Sequence, residues 1–207
     1  MKGRTFALTI AVLAGCFAAL GWAVSFWNTH QETSSTASVA QGPGITSDFE
    51  LVDQTGRTVR DEDFPGKWQL VFFGFTSCPD ICPTTLGTVS AALEELGPVA
   101  DRLQPLLISV DPERDTPPAL KDYLTPFDPR ILGLTGTPEQ IQAAIRSFRV
   151  YASKRQLESG DYTMDHSAFI YLMNPEGEYA AHFSSQSPID EMTAEIRKTM
   201  ESSKTLS

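Results

Sequence analysis

Near the N-terminus the chain has 22 consecutive residues without a charge, Phe6 to Trp27, preceded by Lys2 and Arg4. As a helix rising about 1.5 Å per residue, this run would extend roughly 33 Å, enough to cross a hydrocarbon core of about 30 Å. The pattern predicts a membrane anchor over residues 1–27, with Trp22, Phe26 and Trp27 as an interfacial belt at its far end. Basic residues ahead of the run set its direction. They place the N-terminus in the cytoplasm and the body of a single-pass protein outside a bacterial cytoplasmic membrane, in the periplasm or at the cell exterior. Leu13-Ala-Gly-Cys16 also has the form of a lipoprotein cleavage site, but the stretch stays hydrophobic beyond Cys16, which favours an uncleaved anchor. Residues 28–44 are rich in Ser, Thr, Ala and Gly and show no helical or strand period. They read as a flexible tether reaching about 23 Å, which favours partners in the same membrane.

From Ile45 to Ser207 the pattern alternates between strands and helices. Phe49–Val52 and Arg57–Arg60, joined by Asp53-Gln-Thr-Gly56, predict a hairpin, and the apolar run Trp68–Phe75 predicts a strand buried on both faces. After Pro83, the spacing of Leu86, Val89, Leu93 and Leu96 is helical; Leu106–Val110 follows as a second buried strand, then a short helix around Ala119–Tyr123. Thr137-Pro-Glu-Gln140 is a capping box leading into the stripe Ile141, Ile145 and Phe148. Ser167–Met173 and Tyr179–Phe183, with Asn174-Pro-Glu-Gly177 between them, predict two more strands, and Ile189, Met192, Ile196 and Met200 form one face of a last helix. This order predicts a single α/β domain, residues 45–207, thioredoxin-like with an added N-terminal β-hairpin and an insertion.

A net charge of −10 makes the body acidic, which argues against nucleic acid as a ligand. Candidate chemistry is concentrated at Phe75-Thr-Ser-Cys78-Pro-Asp-Ile-Cys82-Pro83, just after the first buried strand and holding both cysteines of the domain. A strand that delivers two thiols to the start of a helix places them near its positive dipole end, where a thiolate acts as nucleophile or soft-metal ligand. Three residues lie between the cysteines, one more than in the thioredoxin redox motif, and no second pair completes a four-cysteine zinc site. A structural disulfide is the plain alternative, although so short a loop constrains little of the unfolded chain.

His166, in Met164-Asp-His-Ser, precedes a late strand whose entry loop faces the cysteines in a thioredoxin-like fold. It reads either as a buried structural histidine or as the third ligand of a two-sulfur, one-nitrogen site suited to Cu(I). Met164 reads as packing, and His30 and His182 as surface residues. Asp80 is too hard a donor for Cu(I), which leaves it partner recognition or contact with Cu(II). The run Asp111–Pro117 reads as a turn and helix start, rich enough in charge to guide a partner.

Gly74-Phe-Thr-Ser-Cys78-Pro-Asp-Ile-Cys82-Pro-Thr-Thr, Ser109-Val-Asp-Pro-Glu-Arg-Asp-Thr-Pro117 and Asp165-His166-Ser, in that order, closely resemble the Sco/SenC family. The resemblance implies a thioredoxin-like, membrane-tethered metallochaperone, not an enzyme, with Cys78, Cys82 and His166 as copper ligands. Its implied partners are a thiol reductant or copper donor and the copper-accepting subunit of a terminal oxidase, subunit II of cytochrome c oxidase. The redox-active pair Cys78 and Cys82 also permits an alternative, a membrane-anchored thiol-disulfide oxidoreductase acting on partner cysteines. His166 separates the two, because disulfide exchange does not require it.

Overall fold

The computed structural model describes residues 44–203. The expected anchor, Cys16 and the tether up to residue 43 lie outside the described residues. Among the described residues nine strands and four α-helices follow one another: β1 (Glu50–Asp53), β2 (Thr58–Arg60), β3 (Trp68–Gly74), α1 (Ile81–Leu96), β4 (Leu103–Ser109), α2 (Pro117–Leu124), β5 (Leu132–Thr135), α3 (Pro138–Ser147), β6 (Ala152–Gln156), β7 (Tyr162–His166), β8 (Phe169–Met173), β9 (Tyr179–Ser184) and α4 (Ile189–Ser202).

Seven strands make one sheet in the order β2-β1-β5-β4-β3-β8-β9. The central strands β3, β4 and β5 run parallel, and β8 joins β3 antiparallel. Every residue of β3 is buried, so both faces of the sheet are covered at its middle, as its apolar run requires. The helix α4 lies along α1, where Thr193 donates to the Glu95 carboxylate at 2.6 Å and Arg197 to the Glu95 carbonyl at 2.8 Å. At α3 the capping box forms as the sequence indicates: Gln140 N–H donates to Thr137 Oγ1, and Thr137 N–H donates to Gln140 Oε1.

The hairpin β1–β2 forms where the pattern places it, and β1 pairs with β5 so that the hairpin carries the sheet outward. Two features depart from the pattern reading. The strand β5, Leu-Gly-Leu-Thr, went unrecognised because it is short and broken by Gly133. That glycine is a packing requirement: a Cβ there would lie 2.7 Å from a Leu124 methyl carbon of α2. The insertion before β8 is a second antiparallel ladder, β6–β7, pairing Ala152 with His166 through to Gln156 with Tyr162. Its strands are half-exposed and polar, so no alternation marks them.

Candidate metal centre

Cys78 lies in the loop between β3 and α1, and Cys82 in the first turn of α1. The loop brings sulfur to the helix start in a specific way: Cys82 N–H, which has no partner within the helix, donates to Cys78 Sγ at 3.4 Å. Cys78 is half-buried and Cys82 is fully buried, so the two thiols do not both stand at an open mouth. The dipole argument alone therefore misjudges Cys82. Burial pushes its thiol pKa up, outweighing the hydrogen bond from the Phe75 backbone.

The sulfur of Cys82 is seated against β3. A Cβ on Gly74 would come within 3.0 Å of Cys82 Sγ and 2.8 Å of the Phe72 ring, so glycine is what lets the sulfur reach that depth.

His166 is the last residue of β7 rather than the entrance of β8, and the β6–β7 hairpin is what carries it to the cysteines. Its Nε2 lies 3.6 Å from Cys82 Sγ, and its Nδ1 is 2.9 Å from the Ser167 carbonyl oxygen. A carbonyl only accepts, so Nδ1 carries the proton and Nε2 presents a lone pair toward the sulfur. The rings of Phe72 and Phe75 meet the imidazole edge-on at 6.1 and 5.7 Å. Burial there holds the His166 pKa below its usual value of 6.5, against the smaller opposing effect of the Ser167 hydrogen bond.

The hairpin is clamped to the loop after β4. Tyr162 donates from its hydroxyl to Asp111 at 2.9 Å, Arg114 pairs with the same carboxylate and donates to the Tyr162 carbonyl at 3.1 Å, and its guanidinium carbon lies 3.9 Å from the Tyr162 ring centroid. Asp115 reaches the other way, into the cysteine loop. It accepts from the Thr76 hydroxyl and the Ser109 hydroxyl, each at 2.6 Å. Through its buried Asp111 and Asp115, the run Asp111–Pro117 thus braces the two halves of the site, a role its charge content did not reveal.

The structure brings Cys82 and His166 together and sets Cys78 against the helix start beside them. Among the described residues no three His, Cys, Asp or Glu side chains are drawn up as a metal cluster. Asp80 precedes α1 without capping it through its side chain. Met164 is partly buried against the core and His182 is exposed, hydrogen-bonded to the Tyr179 hydroxyl at 2.6 Å, both as the sequence suggests.

The SCO1/SenC family model matches residues 37–201. The chain belongs to the SCO1/SenC family. A cattle relative, "Protein SCO2 homolog, mitochondrial", is 41% identical over 94% of this chain and 73% of its own length. "Protein SCO1 homolog 1, mitochondrial" from Arabidopsis thaliana is 38% identical over 79% of this chain and 51% of its own. Among solved structures, ScoI of Bradyrhizobium japonicum, described with copper bound, is 46% identical, covers 75% of this chain and 99% of its own, and superposes with a TM-score of 0.69. The mixed α/β, thioredoxin-like architecture is shared with that neighbour.

One expectation is corrected by these relatives. A bacterial cytoplasmic membrane, with the domain in the periplasm or cell exterior, does not follow for this chain when the cattle and Arabidopsis relatives are mitochondrial proteins. Hydropathy identifies a stretch able to span a bilayer but not the membrane it belongs to. Among the described residues no helix is long and apolar enough to cross a membrane.

Proposed function

We propose that this SCO1/SenC member is a copper metallochaperone that takes up one Cu(I) through Cys78, Cys82 and His166. It delivers the ion to the copper-accepting subunit of a terminal oxidase, by family resemblance subunit II of cytochrome c oxidase. Residues 1–27 anchor it to a membrane, 28–44 tether it, and 45–207 carry the metal. The observation that supports this most is the approach of His166 Nε2 to within 3.6 Å of Cys82 Sγ, with Nδ1 engaged elsewhere. Two thiolates and a neutral imidazole form a soft donor set suited to Cu(I), whereas Zn(II) would call for a fourth ligand.

Loading brings the half-buried Cys78 to the Cys82–His166 pair. Both sulfurs must lose their protons to bind, so uptake releases protons and strengthens with rising pH. A disulfide between the cysteines would remove the thiolates, so a thiol reductant must precede or accompany the copper donor. Cu(II) is the second ion of interest, with Asp80 as the nearby oxygen donor in the sequence. The free dithiol also supports the second reading, reduction of a partner's disulfide, with the more exposed Cys78 attacking and Cys82 resolving.

Titrating the reduced chain with Cu(I) against a competing chelator tests the first reading. One ion per chain is expected, lost in Cys78→Ser and Cys82→Ser; undiminished binding in those variants would contradict it. In a strain lacking the protein, wild type should restore oxidase activity under limiting copper. Restoration by His166→Ala at equal protein level would favour the disulfide-reductase reading.

A further inference from the structure

Tyr151 and Phe169 are large apolar side chains left outside the core, 62% and 42% exposed, and they belong to one surface. Tyr151 is bound through its backbone to Ser167, accepting from the Ser167 amide at 3.0 Å and donating to the Ser167 hydroxyl at 3.1 Å. Phe169, two residues further on, sets its ring edge-on to exposed His182 at 5.2 Å, and the Tyr179 hydroxyl hydrogen-bonds His182 Nδ1 at 2.6 Å. Residues three apart on a regular strand point to opposite faces. In β9, however, Leu172 pairs with Ala181 and Met173 with Tyr179, so Ala180 is an extra residue, and this bulge turns Tyr179 and His182 onto one face. Phe148 covers Tyr171 on that face, while His182, the pairing partner of Tyr171, is left uncovered.

The first described residues enter at the rim of this surface. Thr46 donates from its amide to the Ser147 carbonyl at 3.2 Å and forms an isolated bridge with Glu178, so the chain passes between the end of α3 and the start of β9. A Cβ on Gly44 would lie 2.7 Å from a guanidinium nitrogen of Arg149. Arg149 follows α3 with a φ of 51°, the one left-handed residue other than glycine among those described, at a place that helix ends ordinarily give to glycine. Its side chain is exposed, and none of the ion pairs among the described residues uses it. The acid on the same rim, Glu178, accepts from the Asn174 side-chain amide at 3.1 Å.

We propose that this surface, Tyr151, Phe169, Tyr179 and His182 with Arg149 at its rim, settles on the lipid headgroup region of a bilayer. This depends on the reading of residues 1–27 as a membrane anchor. Two observations choose lipid as the occupant. A tether of residues 28–44 reaching about 23 Å ends at this rim, so the surface stays within that distance of the bilayer. Rings with an apolar body and a polar tip are the side chains that lodge at a membrane interface, and the Arg149 guanidinium beside them suits a lipid phosphate. The contact also orients the metal centre: Ser167, which Tyr151 holds, follows His166 directly, so His166 is kept near the membrane, where a membrane-bound copper acceptor is met.

The test uses the full chain in phosphatidylcholine nanodiscs that carry a gadolinium-chelate lipid, with alanine methyl groups as NMR probes. Signals of Ala168 and Ala180, in or beside the surface, should be lost to paramagnetic broadening, while those of Ala91 on α1 and Ala194 on α4, the helices of the opposite face, persist. With Tyr151→Ser and Phe169→Ser together, all four should be attenuated alike, because nothing then holds the surface to lipid. Arg149→Gly is a second arm that does not depend on how the double variant folds. It should melt at the wild-type temperature or above, since glycine adopts a φ of 51° without strain, and should recover part of the Ala168 and Ala180 signals. Equal attenuation of the four probes in wild type, stronger loss at Ala91 and Ala194, or a wild-type pattern in either variant would overturn the proposal. Two chains per disc that separate in the double variant would also overturn it, making the surface an interface between copies. A chain that fails to enter the discs at all would instead sink the anchor reading, and this inference with it.

Discussion

Thr76 and Asp115 are 39 residues apart in sequence, yet the Asp115 carboxylate accepts the Thr76 hydroxyl at 2.6 Å and faces its backbone amide at 3.2 and 3.3 Å. Asp115 is fully buried, and desolvation raises its pKa although the Ser109 and Thr76 hydrogen bonds oppose this. The contact pins the start of the cysteine loop to the loop after β4, which also holds the hairpin bearing His166.

Asp115→Ala should accordingly act on both stability and copper. It would strand the hydroxyls of Thr76 and Ser109 in a buried place, at a cost of about 2–4 kcal/mol, and free the loop carrying Cys78. Denaturant midpoints and Cu(I) competition should both fall. A variant with unchanged midpoint would show that the brace is not structural.

Gly74→Ala is expected to disturb the site with little effect on the sheet's pairing. The added methyl would press on Cys82 Sγ and the Phe72 ring, costing about 1–3 kcal/mol and displacing the sulfur. Cu(I) affinity should drop further than in a matched Gly87→Ala variant, since a Cβ at Gly87 meets nothing within 4 Å. Equal copper binding in the two variants would show that the depth of Cys82 does not matter.

Burial keeps His166 neutral in the native state, which gives stability a defined pH dependence. Above pH 6.5 the imidazole is neutral folded or unfolded, and it adds no slope. As pH falls below about 6.5 the unfolded chain takes up a proton that the native site resists, so the native state loses stability until the lowered native pKa is passed. NMR titration of the reduced apo chain should give a His166 midpoint below 6.5. The His166→Ala variant should lose that part of the acid sensitivity; a midpoint at or above 6.5 would contradict the assignment.

The sheet centre and the four α-helices of the described residues were legible because their apolar runs, stripes and caps are local signals, among them Trp68–Phe75, the Thr137 capping box, and the stripe Met192, Ile196 and Met200. The strand β5 was not, because Gly133 interrupts it and its burial comes from β4 and β1. The hairpin β6–β7 was not, because its strands are polar and held by Tyr162 and Arg114 against Asp111, residues about 50 positions away. At the site, residue types singled out Cys78, Cys82 and His166. Burial could not be read from them, and the helix-dipole argument gave no sign that Cys82 lies fully buried. Gly74 and Asp115 stand inside runs the sequence singles out, but what each touches arises only when β3, the cysteine loop, α1 and the loop after β4 are brought together.

X-ray absorption at the copper edge of the reduced chain, loaded with one equivalent of Cu(I), tests the central claim most directly. The account predicts a first shell of two sulfurs and one nitrogen. One sulfur should vanish in Cys78→Ser and one in Cys82→Ser, and the imidazole signature in His166→Ala. A shell without two sulfurs, or an unchanged spectrum in any of the three variants, would contradict it.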